Sequence, residues 1–274
     1  MNELSSKPSA NRSYNPDYFA LLSTIEDQHF WFRARNRVIS ALISQISAGL
    51  AAGYRVLEVG CGTGNVLRVL ERACPDGVVV GMDLFAEGLL YARERTSCFL
   101  LQGDIHAAPF GAQFDLIGLF DVLEHLPDDE RVLRDLHAML AFEGTLLLTV
   151  PAHRSLWSYF DEASLHCRRY ELAELESKLI RTGYRVEYLT PYLAGIYPFV
   201  WVGRRLAALI DRRQADKAGR AADLMSGELR IIPVVNELLT WMLSWEVRLL
   251  AGRCRLPIGT SLLAIARKET VSTG

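Results

Sequence analysis

The chain has 274 residues, of which 50% are hydrophobic and 23% are charged, and its formal net charge is −2. This length allows one full hydrophobic core with an elaboration, or two domains. The near balance of charge excludes a protein whose whole surface binds nucleic acid through basic residues.

Cysteine usage and hydropathy indicate a cytoplasmic protein. The five cysteines are odd in number and irregularly spaced, at Cys61, Cys74, Cys98, Cys167 and Cys254. Such a set is typical of reduced thiols rather than of a disulfide framework. The N-terminal residues lack the apolar core of a signal peptide, and no apolar run reaches the length of a membrane span.

Helical periodicity runs from Tyr18 to Leu50, after which short apolar strands alternate with helices. The patterns predict strands at 54–59, 77–83, 98–104, 114–120, 144–151, 184–192 and 260–268. They predict the helices between them at 65–73, 86–96, 127–140 and 171–183. This alternation is typical of an α/β protein with a doubly wound, Rossmann-like and mainly parallel sheet.

Two segments exceed a minimal fold of this kind. Residues 1–50 are a predicted N-terminal helical cover, and residues 193–257 are a predicted helical insertion before the final strand. Residues 51–192 and 258–268 remain as the predicted ligand-binding domain.

Three glycines follow the first strand, at the edge where ligands bind in doubly wound sheets. The pattern is E-x-G-x-G-x-G, with Glu58 followed by Gly60, Gly62 and Gly64. Bare backbone lets a ligand lie directly on the chain, and the next helix presents free N–H groups to it. Asn65 stands where a dinucleotide fingerprint would have its third glycine, so the spacing speaks against NAD.

Acidic residues also end the later strands. Asp83 ends the second, Asp104 follows the third in "GDIHAAPF", and Asp121 follows the fourth in "FDLIGLFDVLEHL". Over roughly residues 50–192 plus the final strand, these motifs in this order resemble the class I S-adenosylmethionine-dependent methyltransferases. The resemblance implies a seven-stranded sheet whose last strand is antiparallel.

The resemblance implies S-adenosylmethionine as cofactor, S-adenosylhomocysteine as product, and a set of binding residues. Asp83 would accept hydrogen bonds from the ribose hydroxyls, and Asp104 from the adenine amine. The stretch "EDQHFWFRARNR" also resembles a subgroup whose N-terminal helix closes over the cofactor, although an amphipathic helix packed on the sheet is the alternative. The implied cofactor-binding residues are Trp31, Arg35, Glu58, Gly60, Cys61, Gly62, Asn65, Asp83, Leu84, Gly103, Asp104, Ile105, Phe120 and Asp121.

Two histidines are the candidates for catalysis. Transfer from a sulfonium depends mainly on positioning, and a base is needed only where the acceptor loses a proton. His125 follows the fourth strand in a Glu-His pair, which in this family often shapes the loop instead. His166 lies in "HCRRY", which resembles the H-x-R-R-Y stretch of small-molecule methyltransferases.

The segment after the fifth strand starts at the ligand edge and supplies the substrate candidates. The adjacent arginines Arg168 and Arg169 would bind an acceptor carboxylate or phosphate, or anchor the loop by ion pairs. The spacing from His153 to His166 lacks a metal signature, so no metal is expected. The predicted substrate-binding residues are His153, Trp157, His166, Arg169 and Tyr170.

The insertion carries an apolar helical stripe in its second half. Three roles stay open for it: packing on the body or in a homodimer, a lid over a bulky acceptor, or docking on a membrane surface beside its basic flank. The stripe consists of Val234, Val235, Leu238, Leu239, Met242, Trp245 and Leu249.

These observations predict an enzyme that methylates oxygen or carbon of a small apolar or amphipathic metabolite, of the specialised-metabolite or envelope-lipid type. A peptide carboxylate is the alternative acceptor. A cofactor-binding interaction protein without activity is the alternative from another class. No nucleic-acid partner is expected.

Overall fold

The computed structural model describes residues 14–211 and 229–269. The strands are β1 (Arg55–Val59), β2 (Val78–Asp83), β3 (Phe99–Gln102), β4 (Phe114–Phe120), β5 (Leu140–Pro151), β6 (Tyr184–Tyr192) and β7 (Ser261–Lys268). The helices are α1 (Tyr18–Ile25), α2 (Phe30–Ser47), α3 (Leu67–Ala73), α4 (Ala86–Arg95), α5 (Asp129–Met139), α6 (Tyr159–Ala163), α7 (Leu172–Arg181), α8 (Tyr197–Asp211) and α9 (Pro233–Ala251).

The seven strands form one sheet in the order β3-β2-β1-β4-β5-β7-β6. β1 to β5 pair in parallel, whereas β7 runs antiparallel to both β5 and β6. The predicted doubly wound sheet with an antiparallel last strand is confirmed. The strand order reverses between β1 and β4, which places the ligand edge at their carboxyl ends.

Both faces of the sheet are covered, so its central strands are mainly apolar, with Glu58 as a buried polar exception in β1. One buried cluster joins the sheet to α2, α3 and α9, with Leu42, Leu70 and Leu250 fully buried. The other joins it to α5 and α7, with Leu136 and Leu179 fully buried. Among the helices within residues 14–211 and 229–269, none is long and apolar enough to cross a membrane.

The predicted N-terminal helix is interrupted and becomes α1 and α2. Its backbone turns extended at His29 (φ −70°, ψ 133°), whose Nδ1 accepts a hydrogen bond from the Trp31 N–H at 3.3 Å. A side-chain acceptor at this position satisfies one of the free N–H groups of the helix start. After the break, α2 packs on α3 and α9, whereas α1 packs on α4.

The buried face of α9 is not the apolar stripe that its hydropathy favours. Its buried residues are Asn236, Thr240, Leu243, Glu246 and Leu250, which recur at helical spacing. The most apolar positions instead face outward: the exposed large side chains are Val234, Val235, Leu238, Trp241, Trp245 and Leu249.

Glu246 explains why a polar stripe packs inward. Its carboxylate accepts hydrogen bonds from the backbone N–H groups of Leu193, Ala194 (2.9 Å) and Gly195 (3.4 Å). Leu193 has a left-handed φ of 59°, so the three N–H groups form a concave anion site directly after β6. At the other end of α9, the Asn236 side chain accepts from the Phe30 N–H (2.7 Å) and donates to the Gln28 carbonyl (2.9 Å).

We expect Glu246→Ala to lower the free energy of unfolding by at least about 2 kcal/mol, because it leaves buried N–H groups without an acceptor. Glu237→Ala is the matched control on the same helix. Glu237 is exposed and pairs with Arg33 and the Asn236 amide at the surface, so its loss should change stability little. Urea unfolding followed by circular dichroism measures both, and equal effects of the two substitutions would contradict the anchor role of Glu246.

Candidate active site

A cavity of about 960 Å³ opens at the carboxyl ends of β1, β2 and β4. Every residue that the sequence assigned to the cofactor lies in its lining. Those residues are Trp31, Arg35, Glu58, Gly60, Cys61, Gly62, Asn65, Asp83, Leu84, Gly103, Asp104, Ile105, Phe120 and Asp121. The two candidate catalytic residues, His125 and His166, also line the cavity, as does Arg169.

The glycine loop has left-handed backbone at each of its three glycines, with φ of +72°, +49° and +79° at Gly60, Gly62 and Gly64. A Cβ at Gly60 would lie 2.5 Å from a Val122 methyl, and one at Gly64 would lie 2.9 Å from Ala92 Cα. The loop therefore needs glycine for both conformation and space.

Asp83 holds this loop in shape. Its carboxylate accepts hydrogen bonds from the N–H groups of Gly62 (2.7 Å) and Phe85 (2.8 Å). Burial raises the pKa of Asp83 above its ordinary value, although the backbone N–H groups oppose the shift. An ionised carboxylate has about four acceptor positions, so capacity remains for donors of a ligand in the cavity.

Glu58 is a second acceptor in the lining. It is 2% exposed, and its Oε2 has no hydrogen-bond partner within the described part of the chain. Burial raises the pKa of Glu58 well above its ordinary value. An orphaned buried oxygen of this kind is accommodated by a ligand that brings a donor.

Two acidic residues, which the sequence reasoning missed, tie the N-terminal helices to the loop. Glu26, 4% exposed, accepts hydrogen bonds from Thr63 and from Arg95 of α4. The neighbouring Asp27 accepts from Asn65 at 3.1 Å. The signal was present in "EDQHFWFRARNR", where two acids end a helix, but nothing local shows which loop they reach.

Arg35 joins α2 to the end of β4. Its guanidinium donates to Asp121 at 2.9 Å and to Asn65 at 3.3 Å, and it lies over the Trp31 ring at 5.0 Å. Arg33 turns the other way, toward Glu237 of α9. Arg35, which the resemblance assigned to the cofactor, lines the cavity, whereas Arg33 does not belong to the described lining.

Asp161 organises the segment after β5. It is fully buried and accepts hydrogen bonds from the Ser158 N–H (2.9 Å) and the Arg169 Nε–H (2.7 Å). Its Oδ1 also lies 2.9 Å from His166 Nδ1. Burial alone would raise the pKa of Asp161, but the hydrogen bonds from His166 and Arg169 lower it below its ordinary value. His166 and Arg169 are thereby held at the cavity wall.

The remaining substrate candidates lie outside the cavity lining. Tyr170 is fully buried and donates its hydroxyl to Asp129 at 2.9 Å. His153 Nδ1 lies 3.1 Å from Glu171, and Trp157 is 39% exposed. Tyr170 and His153 thus each contact an acidic side chain of the protein.

The paired arginines are both engaged by the protein. Arg168 lies 2.6 Å from Asp129, and Arg169 lies 2.7 Å from Asp161. Of the two functions that the sequence left open for them, these ion pairs favour anchoring of the loop.

The insertion supplies an apolar end to the cavity. Residues from the turn after β6, from α8 and from α9 contribute apolar side chains to the lining, namely Ile196, Phe199, Val200, Val235, Leu238 and Leu239. The cavity therefore has a polar end at the glycine loop and an apolar end under the insertion. Such an arrangement suits two ligands bound end to end, the apolar one with few hydrogen bonds.

Residues 31–189 match the family model described as a methyltransferase domain. The chain is 34% identical over 143 residues to a trans-aconitate 2-methyltransferase of Variovorax paradoxus, covering 52% of this chain and 51% of that protein. The chain spans about half the length of the curated relatives it matches.

Two solved structures share the fold at 16% identity. One is a chain of the complex between the Haloferax volcanii Trm112 methyltransferase activator and a methyltransferase, with a TM-score of 0.60, covering 97% of this chain and 100% of that one. The other is phosphoethanolamine N-methyltransferase 2 of Haemonchus contortus in complex with S-adenosyl-L-methionine. Its TM-score is 0.53, covering 84% of this chain and 52% of that one.

We expect Asp161→Asn to lower the free energy of unfolding by about 3 kcal/mol at pH 7, because it leaves Arg169 without its buried partner. The folded-state pKa of Asp161 lies below its unfolded value. Its contribution is therefore complete above the unfolded pKa of about 4 and is lost as the pH falls through the folded-state pKa.

The difference between wild type and Asp161→Asn should accordingly shrink as the pH falls below about 4. Urea unfolding at a series of pH values measures it. Asp135→Asn, which breaks a surface contact with His106, is the control and should have a small effect. A difference that stays constant across the acidic range would contradict the assigned ionisation of Asp161.

Proposed function

This chain belongs to the methyltransferase-domain family of S-adenosylmethionine-dependent enzymes, and from that premise we propose that it methylates oxygen or carbon of a small apolar or amphipathic metabolite. The observation that carries the proposal is the two-ended cavity, in which acidic strand ends and a glycine loop face an apolar wall built by the insertion. The polar end would hold the cofactor, and the apolar end the acceptor.

The donor pattern of S-adenosylmethionine fits the polar end. Asp83 keeps acceptor capacity for the ribose hydroxyls, and the partnerless Glu58 oxygen suits the ammonium group of the methionine part. The close, side-chain-free loop at Gly60 and Gly62 gives the cofactor room against the backbone. When bound, the cofactor supplies an activated methyl group on a sulfonium.

The protein's own contribution to catalysis would be positioning, water exclusion and proton transfer. Trp31 and Phe32 of α2 lie in the cavity wall and would shield it from water. His166 has its Nδ1 fixed on Asp161, which leaves Nε2 as the atom able to accept a proton from an acceptor hydroxyl. The His125 ring stands edge-on to it, with centroids 4.7 Å apart.

The cavity favours an apolar acceptor over a polycarboxylate such as the aconitate named for the relative. The described lining contains three arginines: Arg35 and Arg169 are already paired with Asp121 and Asp161, and Arg204 lies over the Tyr159 ring at 5.3 Å. A trianion would need cations that those pairs consume. The same pairs disfavour the peptide-carboxylate alternative, which relied on the paired arginines.

The insertion would act as the lid over that acceptor. Leu238 lies in the lining although it is 60% exposed, so one side chain of α9 reaches both the cavity and its mouth. Trp245 and Leu249, farther along α9, are exposed and are not part of the lining. The outer part of this face is where a homodimer or membrane contact would form.

We expect Asp83→Asn to weaken binding of S-adenosylhomocysteine at least tenfold, because the neutral amide loses charge and one acceptor position. A ligand bound only to the folded state raises the melting temperature by mass action, so a thermal shift reports the change. Asp76→Asn, at an exposed site, should keep the shift, and NADH should give none with any variant. An unchanged shift in Asp83→Asn would contradict the assigned cofactor end.

We expect Leu238→Ser to raise the KM for the acceptor about tenfold while leaving S-adenosylhomocysteine binding unchanged, because it removes one apolar contact in the lining. Leu249→Ser is the matched control on α9, since Leu249 is exposed but outside the cavity. Labelled methyl transfer into an extracted metabolite pool identifies the acceptor for this assay. Equal effects of both substitutions would contradict the lid role.

A further inference from the structure

Three residues with metal-binding side chains meet in the cavity wall. Glu124, His125 and His166 each offer one ligand atom, and these atoms lie within 4.8 Å of one another. The residues come from two segments: the turn after β4 brings Glu124 and His125, and the segment after β5 brings His166. All three face the same cavity as the proposed cofactor and acceptor.

The Glu124 carboxylate is buried and incompletely hydrogen-bonded. It is 1% exposed, and its Oε2 has no hydrogen-bond partner within residues 14–211 and 229–269. Leaving a buried carboxylate oxygen without a partner is costly, so a nearby cation would stabilise it. The nearby Arg169 donates its hydrogen bonds to Asp161 and to the Ala152 carbonyl, so it does not satisfy this oxygen.

His166 is already oriented as a metal ligand would be. Its Nδ1 is held 2.9 Å from Asp161 Oδ1, and Asp161 is fixed in turn by Ser158 and Arg169. A histidine whose one ring nitrogen donates to a carboxylate presents the lone pair of the other nitrogen in a fixed direction. The carboxylate–histidine pair therefore aims Nε2 away from Asp161.

The donor set restricts the kind of ion. Two imidazoles and one carboxylate suit Zn²⁺, Mn²⁺, Fe²⁺ or Co²⁺, whereas Mg²⁺ and Ca²⁺ prefer oxygen ligands. Ligand atoms that each lie about 2.1 Å from one metal ion are roughly 3 to 3.5 Å from each other. The ligand atoms of these three side chains would therefore move about an ångström closer together when the ion binds. Three protein ligands leave coordination positions open toward the cavity.

We propose that Glu124, His125 and His166 bind a divalent transition-metal ion whose open positions take an oxygen of the acceptor. The binding of the acceptor oxygen rests on the proposed methyl transfer, whereas the binding of the ion does not. With the acceptor oxygen on the ion, the acceptor O–H would be more acidic and its proton would leave to solvent, so His166 would then serve as a metal ligand in place of a base. The oxygen lone pair then forms the C–O bond to the methyl group, and the C–S electron pair stays on sulfur.

The test measures metal binding and cofactor binding separately on the full chain. Protein stripped by a chelator is titrated with ZnCl₂ by calorimetry and with CoCl₂ by visible absorption, and its S-adenosylhomocysteine thermal shift is recorded. We expect one ion per chain, and an affinity at least tenfold weaker in both Glu124→Gln and His166→Ala. His106→Ala, a histidine held by Asp135 outside the cavity, should bind the ion as wild type does.

The outcomes separate the two proposals. No ion bound to a wild-type chain that still shows the cofactor shift would overturn the metal site alone. Equal affinity for the ion in wild type and Glu124→Gln would also overturn the metal site. Glu124→Gln keeps the shape of the side chain, so it tests the site even if His166→Ala does not fold. A chain that binds the ion but shows no cofactor shift would support the metal site and overturn the proposed function.

Discussion

The close approach of backbone to backbone around the glycine loop is the constraint on which the rest of the site depends. Gly62 lies so near α4 that a Cβ added to Gly88 would be 3.0 Å from the Gly62 carbonyl group. Gly64 packs in the same way on Ala92. Asp83, at the end of β2, accepts a hydrogen bond from the Gly62 N–H and so fixes the path of this closely packed loop.

The N-terminal helices depend on that same loop. Glu26 meets Thr63 within it, and Arg95 of α4 completes the contact from the far side. A buried carboxylate is stabilising only when its donors are in place, so α1, the loop and α4 order one another. Arg35 extends the coupling to Asp121 at the end of β4. The cover is thus fastened at the points where a cofactor would lie.

The sequence could predict the sheet because each strand is a short apolar run with a clear break. It could predict the cofactor end for the same reason, since strand ends and glycines are local features. Contacts such as Glu26 with Thr63 could not be predicted, because they join residues far apart in the chain. His153 and Tyr170 illustrate the same limit. Their residue types suit a ligand, yet in the fold they contact the carboxylates of Glu171 and Asp129.

The two carboxylates Glu246 and Asp161 show how buried charge decides which face of a segment turns inward. In α9, Glu246 meets three backbone N–H groups that follow β6, and this fixes the rotation of the helix. Hydrophobicity alone would have rotated α9 to bury Trp241 and Trp245, which are instead exposed. Asp161 likewise turns His166 toward the cavity while Trp157 stays outside. In both places a satisfied carboxylate fixes the orientation of its segment. As a consequence, the insertion gives the cavity an apolar wall, and His166 enters the lining with a fixed orientation.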